Sequence, residues 1–246
     1  MLRRRHGTSA RPAAATRGVG TSEDQALIAR AAPFTMTGEA RIQALVDAVR
    51  YCTNRGLPGA FVECGVWRGG SVLAMILALQ ELGVRDRDIY LYDTFEGMTE
   101  PTEHDVAAEG ERALDEWRAA GERSGRPWEE MFGADVFSEE AVRETILNSG
   151  YPAAHVHVVT GPVEETIPGA MPEEAALLRL DTDWYESTLH ELEHLYPRLA
   201  DGGVLIIDDY GHWEGARRAV DEYFSRHPPV PLLTRIDYTG RIAIKA

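Results

Sequence analysis

The stretch AFVECGVWRGGSVLAMILALQEL, Ala60 to Leu82, decides the fold. It opens with a short apolar run, Ala60–Val66, and passes through a glycine-rich turn, WRGGS. After the turn, apolar residues recur at the spacing of a helix: Val72, Leu73, Ile76 and Leu79. A strand, a tight turn and a helix in this order predict an α/β protein.

Four other apolar segments predict strands: Asp88–Phe95, His155–Gly161, Ala176–Asp183 and Gly202–Tyr210. The terminal segment, Leu232–Ala246, predicts an antiparallel hairpin that turns around Thr239–Gly240. Strands that alternate with helices usually form a parallel sheet whose two faces are both covered. We therefore predict a Rossmann-like α/β fold with a mainly parallel seven-stranded sheet and a C-terminal antiparallel hairpin.

The domain organisation follows from length and local composition. A chain of 246 residues suits one α/β domain, which we assign to residues 23–246. Residues 1–22 are basic and rich in Ala, Gly and Thr, which predicts a disordered tail. The segment Glu96–Phe137 is polar and acidic, and we interpret it as an insertion with a helix near Glu109–Ala120. Because long polar loops beside a site are usually functional, we expect a lid, joined by the segment around Phe34–Thr37.

Charge and cysteine content limit the classes of partner. The net charge of −15 argues against nucleic-acid binding, which depends on basic patches. No window reaches the roughly 18 apolar residues of a membrane span, so we expect no membrane partner. Cys52 and Cys64 have no disulfide or zinc-site spacing, which predicts a cytoplasmic protein. We expect a small-molecule ligand and a homo-oligomer.

Acidic residues stand at the carboxyl ends of the predicted strands, where α/β proteins bind ligands: Asp93, Asp181, Asp208 and Asp209. Asp181 and Asp208 end strands that one helix connects, so their carboxylates should converge. Burying such charges is costly unless they are paired or hold a metal, and no basic residue stands directly beside them. Oxygen ligands favour Mg²⁺ or Ca²⁺. Asp183 is a rival to Asp181 because both would lie on one face of an extended strand, and helix capping is the other explanation of the Asp208–Asp209 pair.

The glycine-rich turn predicts the kind of cofactor. Trp67 stands where a dinucleotide-binding turn has its second glycine, so a diphosphate could not approach the backbone closely. S-adenosylmethionine has no diphosphate, and Glu63 could lie near its ammonium group. Asp93 follows Gly70 at about the 20-residue offset at which an acid accepts hydrogen bonds from a ribose. The alternative interpretation of Asp93 is a helix N-cap.

Four segments together resemble the macrocin O-methyltransferase family: ECGVWRGGS, YDTFEGM, LRLDTDWYESTLHELEHLYPRL and GGVLIIDDY. The resemblance covers roughly Thr35 to Tyr223. It implies a class I methyltransferase fold, S-adenosylmethionine and Mg²⁺ as cofactors, and a sugar hydroxyl of a macrolide or other glycosylated natural product as acceptor. Two features depart from the family pattern and leave the acceptor open: Ala216 before Arg217, and the insertion.

The resemblance also implies site residues. The expected metal ligands are Asp181, Asp208 and Asp209, and Asp181 is also the candidate general base, ahead of His104, His190 and His212. The expected cofactor contacts are Thr37, Glu63, Gly65, Ser71, Asp93, Gly161 and Val163. Two other functions stay open. Trp67 and the terminal hairpin count against an NAD(P)-dependent oxidoreductase, and the complete set of acids counts against a non-catalytic nucleotide-binding protein.

Overall fold

The computed structural model describes residues 21–122, 128–132 and 138–246. Its seven strands are β1 (Ala60–Cys64), β2 (Ile89–Asp93), β3 (Val156–Thr160), β4 (Ala175–Leu180), β5 (Leu199–Ile207), β6 (Thr234–Arg235) and β7 (Arg241–Ile244). They form one sheet in the order β3-β2-β1-β4-β5-β7-β6. The first five strands are parallel, while β7 runs antiparallel to both β5 and β6. The predicted seven-stranded sheet with a C-terminal hairpin is therefore confirmed.

The described helices cover both faces of this sheet. They are α1 (Ser22–Ala31), α2 (Glu39–Asn54), α3 (Gly70–Glu81), α4 (Ala113–Glu122), α5 (Glu129–Phe132), α6 (Glu139–Leu147), α7 (Val163–Thr166), α8 (Tyr185–Leu195) and α9 (Glu214–Arg226). Side chains alternate along each strand, so Phe61 packs with α1, α2 and α3 whereas Val62 packs with α8 and α9. This two-sided burial explains why the strands read as continuous apolar runs. None of the described helices has both the length and the apolar character of a membrane span.

The N-terminal boundary differs slightly from the prediction. Residues 1–20 of the expected tail lie outside the described residues, but Ser22 already begins α1. Thr21 caps this helix: its hydroxyl accepts a hydrogen bond from the Asp24 N–H, and the Asp24 carboxylate accepts one from the Thr21 N–H. Asp24 is buried and paired with Arg50 of α2, which fixes α1 onto the domain.

The insertion lies against the carboxyl edge of the sheet. Its helix α4 begins at Ala113 rather than near Glu109, because Gly110, with φ +98°, turns the chain so that Val106 pairs with Arg112. Ala107 pairs with Trp213, and the Thr99 carbonyl accepts a hydrogen bond from the Trp184 indole at 3.0 Å. Residues 123–127 and 133–137 of the predicted lid lie outside the described residues. Its mobility stays a prediction.

Candidate active site

The glycine-rich turn brings the end of β1 against the end of β4. Gly65 has φ +79°, and a Cβ on it would lie 1.9 Å from the Asp181 carbonyl oxygen, so no other residue fits here. The Asp181 N–H also donates to the Cys64 carbonyl at 2.9 Å. At the start of α3, a Cβ on Gly70 would come within 2.6 Å of the Phe34 backbone. The turn therefore touches both the Asp181 backbone and the segment before α2.

Asp93 holds the glycine-rich turn in place. Its Oδ2 accepts backbone hydrogen bonds from Val66 at 2.7 Å and Trp67 at 2.9 Å, and its Oδ1 accepts one from Phe95 at 2.8 Å. Trp67 needs this support because its φ of +48° is unfavourable for a residue with a side chain. Asp93 thus caps backbone N–H groups, but those of the turn and a loop, not of a helix. Binding of a ribose by Asp93 stays a prediction.

Two adjoining cavities lie beyond the ends of β2 and β3. The smaller, of about 90 Å³, is lined by Asp93, Gly161 and Val163, and also by Asp181 and Asp183 from the loop after β4. The larger, of about 550 Å³, shares Gly161 and extends to Trp117 of α4. Three of the predicted cofactor contacts therefore line one cavity.

A third cavity, of about 300 Å³, lies on the other side of Asp181 and Asp183. The other expected cofactor contacts with side chains and the expected metal ligands line it: Thr37, Glu63, Ser71, Asp181, Asp208 and Asp209. Gly65 does not line these three cavities, and its missing side chain allows the close approach of the Asp181 backbone. Phe132 of α5 lines all three, and the neighbouring Met131 carbonyl accepts a hydrogen bond from the Trp67 indole at 2.8 Å. The described part of the insertion thus forms a wall of the site.

The structure brings Asp181, Asp208 and Asp209 together as the sequence predicted. One carboxylate oxygen of each lies within 4.8 Å of the others. Asp208 and Asp209 are buried, and Asp181 is partly exposed. Asp183, whose backbone is left-handed with φ +66°, is not part of this group. The strand ends at Leu180, before both residues, yet Asp181 and Asp183 line the same two cavities, so the choice of Asp181 as the ligand stays a prediction.

The expectation that no basic residue neutralises the acids was wrong. The Arg179 side chain is 2% exposed, and its guanidinium donates to Glu63 at 2.5 Å, to Asp181 at 2.6 Å and to Asp208 at 2.6 Å. It also donates to the Thr37 hydroxyl at 2.8 Å. The signal was present in the sequence, because Arg179 precedes Asp181 by two positions, the spacing that places two side chains on one face of an extended chain.

Arg41 of α2 is a second cation that the sequence analysis missed. Its Nη1 is paired with Asp208 Oδ2, and its Nε lies 3.1 Å from an oxygen of Asp237 in the loop between β6 and β7. Since Arg41 and Asp208 are far apart along the chain, no local pattern connects them. Both oxygens of Asp208 therefore face a guanidinium.

Asp209 and Asp183 are in the opposite situation. Among the described residues, none donates a hydrogen bond to the Asp209 carboxylate, and burial raises its pKa well above the usual range, helped by the nearby Asp183. Asp183 accepts one hydrogen bond, from the Trp213 indole at 2.8 Å. Burial raises the pKa of Asp183 to about 8, and the charge of Asp181 adds to this effect. Asp209 in the cluster, and Asp183 beside it, are thus carboxylates without a cationic partner among the described residues.

The three candidate histidines lie in different places. His212 lines the third cavity, and its Nδ1 lies 3.5 Å from the Tyr238 hydroxyl. His190 bonds the Ile167 carbonyl at 3.0 Å through Nε2, and His104 contacts Arg218 at 3.0 Å. Neither His190 nor His104 lines the cavities described above.

The strand order, the glycine-rich turn after β1 and the acids at the ends of β2, β4 and β5 define a class I methyltransferase, the fold of S-adenosylmethionine-dependent enzymes. The sequence profile of the macrocin O-methyltransferase family, TylF, matches residues 4–243. The chain therefore belongs to that family of O-methyltransferases, as its motifs predicted.

Individual relatives agree with this assignment. The chain is 36% identical to a tetracenomycin-C rhamnosyl 4′-O-methyltransferase of Streptomyces olivaceus over 84% of this chain and 73% of that protein. It is 33% identical to the mycinamicin III 3″-O-methyltransferase of Micromonospora griseorubida over 84% of this chain and 76% of that protein. The solved structure of the O-methyltransferase NovP superposes with a TM-score of 0.72 at 31% identity, covering 87% of this chain and 82% of NovP.

Proposed function

We propose that this protein transfers the methyl group of S-adenosylmethionine to a sugar hydroxyl of a glycosylated natural product, and that Mg²⁺ assists the transfer. The observation that carries this proposal is the position of two acids: Asp181 and Asp183 each line both the cavity beside Asp93 and the cavity beside Asp208. A cofactor that extends from the cavity beside Asp93 to Glu63 in the cavity beside Asp208 would carry its methyl group past these two acids, where an acceptor in that second cavity would meet it. The names of the relatives, which methylate glycosylated antibiotics, support the class of acceptor.

The protein groups around the turn suit an S-adenosyl cofactor. Oε2 of Glu63 is buried and has no hydrogen-bond partner among the described residues, so it could accept a hydrogen bond from an ammonium group. Burial raises the pKa of Glu63 to about 8, and a cationic ligand would favour its charged form. Gly161 and Val163 would border the adenosine end, and Asp93 would accept from the ribose with the lone pairs that the turn leaves free.

The acid cluster suits a divalent cation. All its donors are carboxylate oxygens, which Mg²⁺ prefers, and Asp209 has no donor from the described residues. Asp181, Asp208 and Asp209 would hold Mg²⁺, which when bound would polarise an acceptor hydroxyl and lower its pKa. Arg179 would keep Asp181 and Asp208 ionised and oriented for this role. A carboxylate without a cation partner is costly to bury, so the arrangement favours a bound ion.

Deprotonation of the acceptor hydroxyl needs a base near the cluster. Asp181 is the candidate from the sequence, but its carboxylate is already paired with Arg179, which weakens it as a proton acceptor. Asp183 faces both cavities, and the only hydrogen bond to its carboxylate from the described residues comes from Trp213. We therefore propose Asp181 as a ligand and rank Asp183 above it as the base. Loss of such a proton-transfer role typically costs about 10²–10⁴ in rate.

Two measurements test the proposal. Purified protein would be incubated with S-adenosylmethionine and a panel of glycosylated natural products and their aglycones, first in EDTA and then with added Mg²⁺. We expect a product heavier by one methylene only from glycosylated acceptors and only with Mg²⁺; full activity in EDTA would refute the metal assignment. In parallel, S-adenosylhomocysteine should raise the unfolding temperature and NAD(P) should not, whereas the reverse would indicate an oxidoreductase.

A further inference from the structure

Asp208 is the acid of the cluster whose two carboxylate oxygens are both paired with arginines. Arg179 Nη2 lies 2.6 Å from its Oδ1, and Arg41 Nη1 is paired with its Oδ2. A metal ion on Asp208 would therefore stand beside a guanidinium whichever oxygen it used. Because like charges at such distances repel strongly in a buried site, a bound metal ion would favour withdrawal of one of the two arginines.

The two arginines are not equally able to withdraw. The Arg179 side chain is 2% exposed, lies on β4 and donates to four acceptors, so moving it would strand a buried charge. The Arg41 side chain is 15% exposed and projects from α2 into the third cavity, the one beside Asp208. It also has a second carboxylate within reach, Asp237, whose other oxygen accepts the N–H groups of Thr239 and Gly240.

Arg41 is nevertheless held in a defined place. Its side chain packs on Gly240, where an added Cβ would lie 3.0 Å from Arg41 Cδ. The Thr239 hydroxyl donates to the Asp208 carbonyl at 2.7 Å, which ties the same loop to the acid cluster. The loop between β6 and β7 thus holds both Arg41 and the backbone of the acid that it neutralises.

We propose that Arg41 is a built-in competitor of the metal ion: it neutralises Asp208 when the site is empty of metal, and it transfers to Asp237 when metal binds. This proposal rests on the proposed metal site. Its consequence is that metal affinity is lower than the three carboxylates alone would give. Metal binding then leaves the Arg41 guanidinium paired with Asp237 alone, at the wall of the third cavity.

The experiment measures metal binding directly, without cofactor or acceptor. Mn²⁺ would be titrated calorimetrically, and free Mn²⁺ would be counted by electron paramagnetic resonance, for wild type and Arg41→Gln. We expect Arg41→Gln to bind Mn²⁺ about 10–100-fold more tightly, the range that one charge-assisted hydrogen bond represents. Arg55→Gln is the matched control, because it removes the same charge from an exposed residue directly after α2. Its affinity should stay within about twofold, since an exposed charge at a distance is screened.

A second measurement uses the wild type, so that it does not depend on the folding of a variant. The side-chain Nε–H resonances of Arg41 and Arg179 would be followed by ¹⁵N NMR during a Mg²⁺ titration. The Arg41 signal should shift with metal occupancy by more than the Arg179 signal, because the Arg179 guanidinium keeps its partners. Equal or weaker Mn²⁺ binding by Arg41→Gln, or an unmoved Arg41 signal at saturating Mg²⁺, would overturn the proposal. If neither wild type nor variant binds Mn²⁺, the metal site itself is refuted, and the competitor role with it.

Discussion

Asp93 and Asp209 are two acids at the same edge of the same sheet, yet their surroundings differ completely. Asp93 accepts three backbone hydrogen bonds and fixes the glycine-rich turn. Asp209 receives no hydrogen bond from the described residues and faces other carboxylates. An acid at a strand end can therefore either stabilise the fold through its hydrogen bonds or stay available to bind a ligand. Its partners distinguish the two cases, and its position does not.

The largest expected effect is on catalysis, at the uncompensated acid. Asp209→Asn should lower methyl transfer by about 10²–10⁴, the size typical of losing a group that activates the reacting hydroxyl. Its unfolding temperature without metal should hold or rise, because one of several repelling carboxylates is removed. The measurements are initial rates with saturating Mg²⁺ and a thermal melt. Asp201→Asn, an exposed position on β5, is the control and should leave both unchanged.

Asp93 should show the reverse pattern, with its main effect on stability. Asp93→Ala leaves three backbone N–H groups without their acceptor, and each such loss costs about 1–3 kcal/mol when the group stays buried. Allowing for water reaching the turn, we expect a loss of about 2–5 kcal/mol in urea unfolding, with Asp86→Asn, at an exposed position, as the control. Calorimetry should also show weaker binding of S-adenosylhomocysteine, by about 1.5–3 kcal/mol. Unchanged stability would remove the distinction between the two acids, and unchanged affinity would refute the ribose contact.

The smallest expected effect is on the pH dependence of stability, at a third acid, Glu191 of α8. It is fully buried, and burial raises its pKa well above the usual range although the Thr182 hydroxyl donates to it at 3.0 Å. A carboxyl whose pKa is raised by folding binds its proton more tightly in the folded state. Its contribution to stability is therefore complete below the unfolded pKa of about 4.3 and is lost as pH rises towards the folded pKa.

Glu191→Gln should remove the loss of stability at high pH, because glutamine is a neutral replacement of similar shape. We expect its unfolding temperature to exceed that of wild type at pH 8 and the difference to shrink at pH 5. Glu193→Gln, at an exposed position on the same helix, should show no such pH dependence. A variant that melts below wild type at pH 8 would mean that Glu191 is ionised and paired in the fold.

The sequence predicted the sheet and the cluster of acids because both follow from local patterns. Strand runs, helical spacing and acids at strand ends are readable within a few residues. The environment of those acids is not readable in this way, since Arg41 reaches Asp208 from a distant helix and Trp213 donates to Asp183 from 30 positions further along the chain. The first helix was also missed, because its weak apolar pattern lay beside a tail of biased composition.

The sharing of Arg179 has a consequence for how this site responds to change. One guanidinium serves Glu63, Asp181 and Asp208, so each carboxylate alters the free energy of the other two. Groups in one such network typically show interaction energies of about 0.5–3 kcal/mol. Double-mutant cycles among these acids should therefore be far from additive. Single substitutions would therefore give a wrong value for the contribution of each acid to stability or binding. Redesign of the site has to treat the three carboxylates and their arginine as one unit.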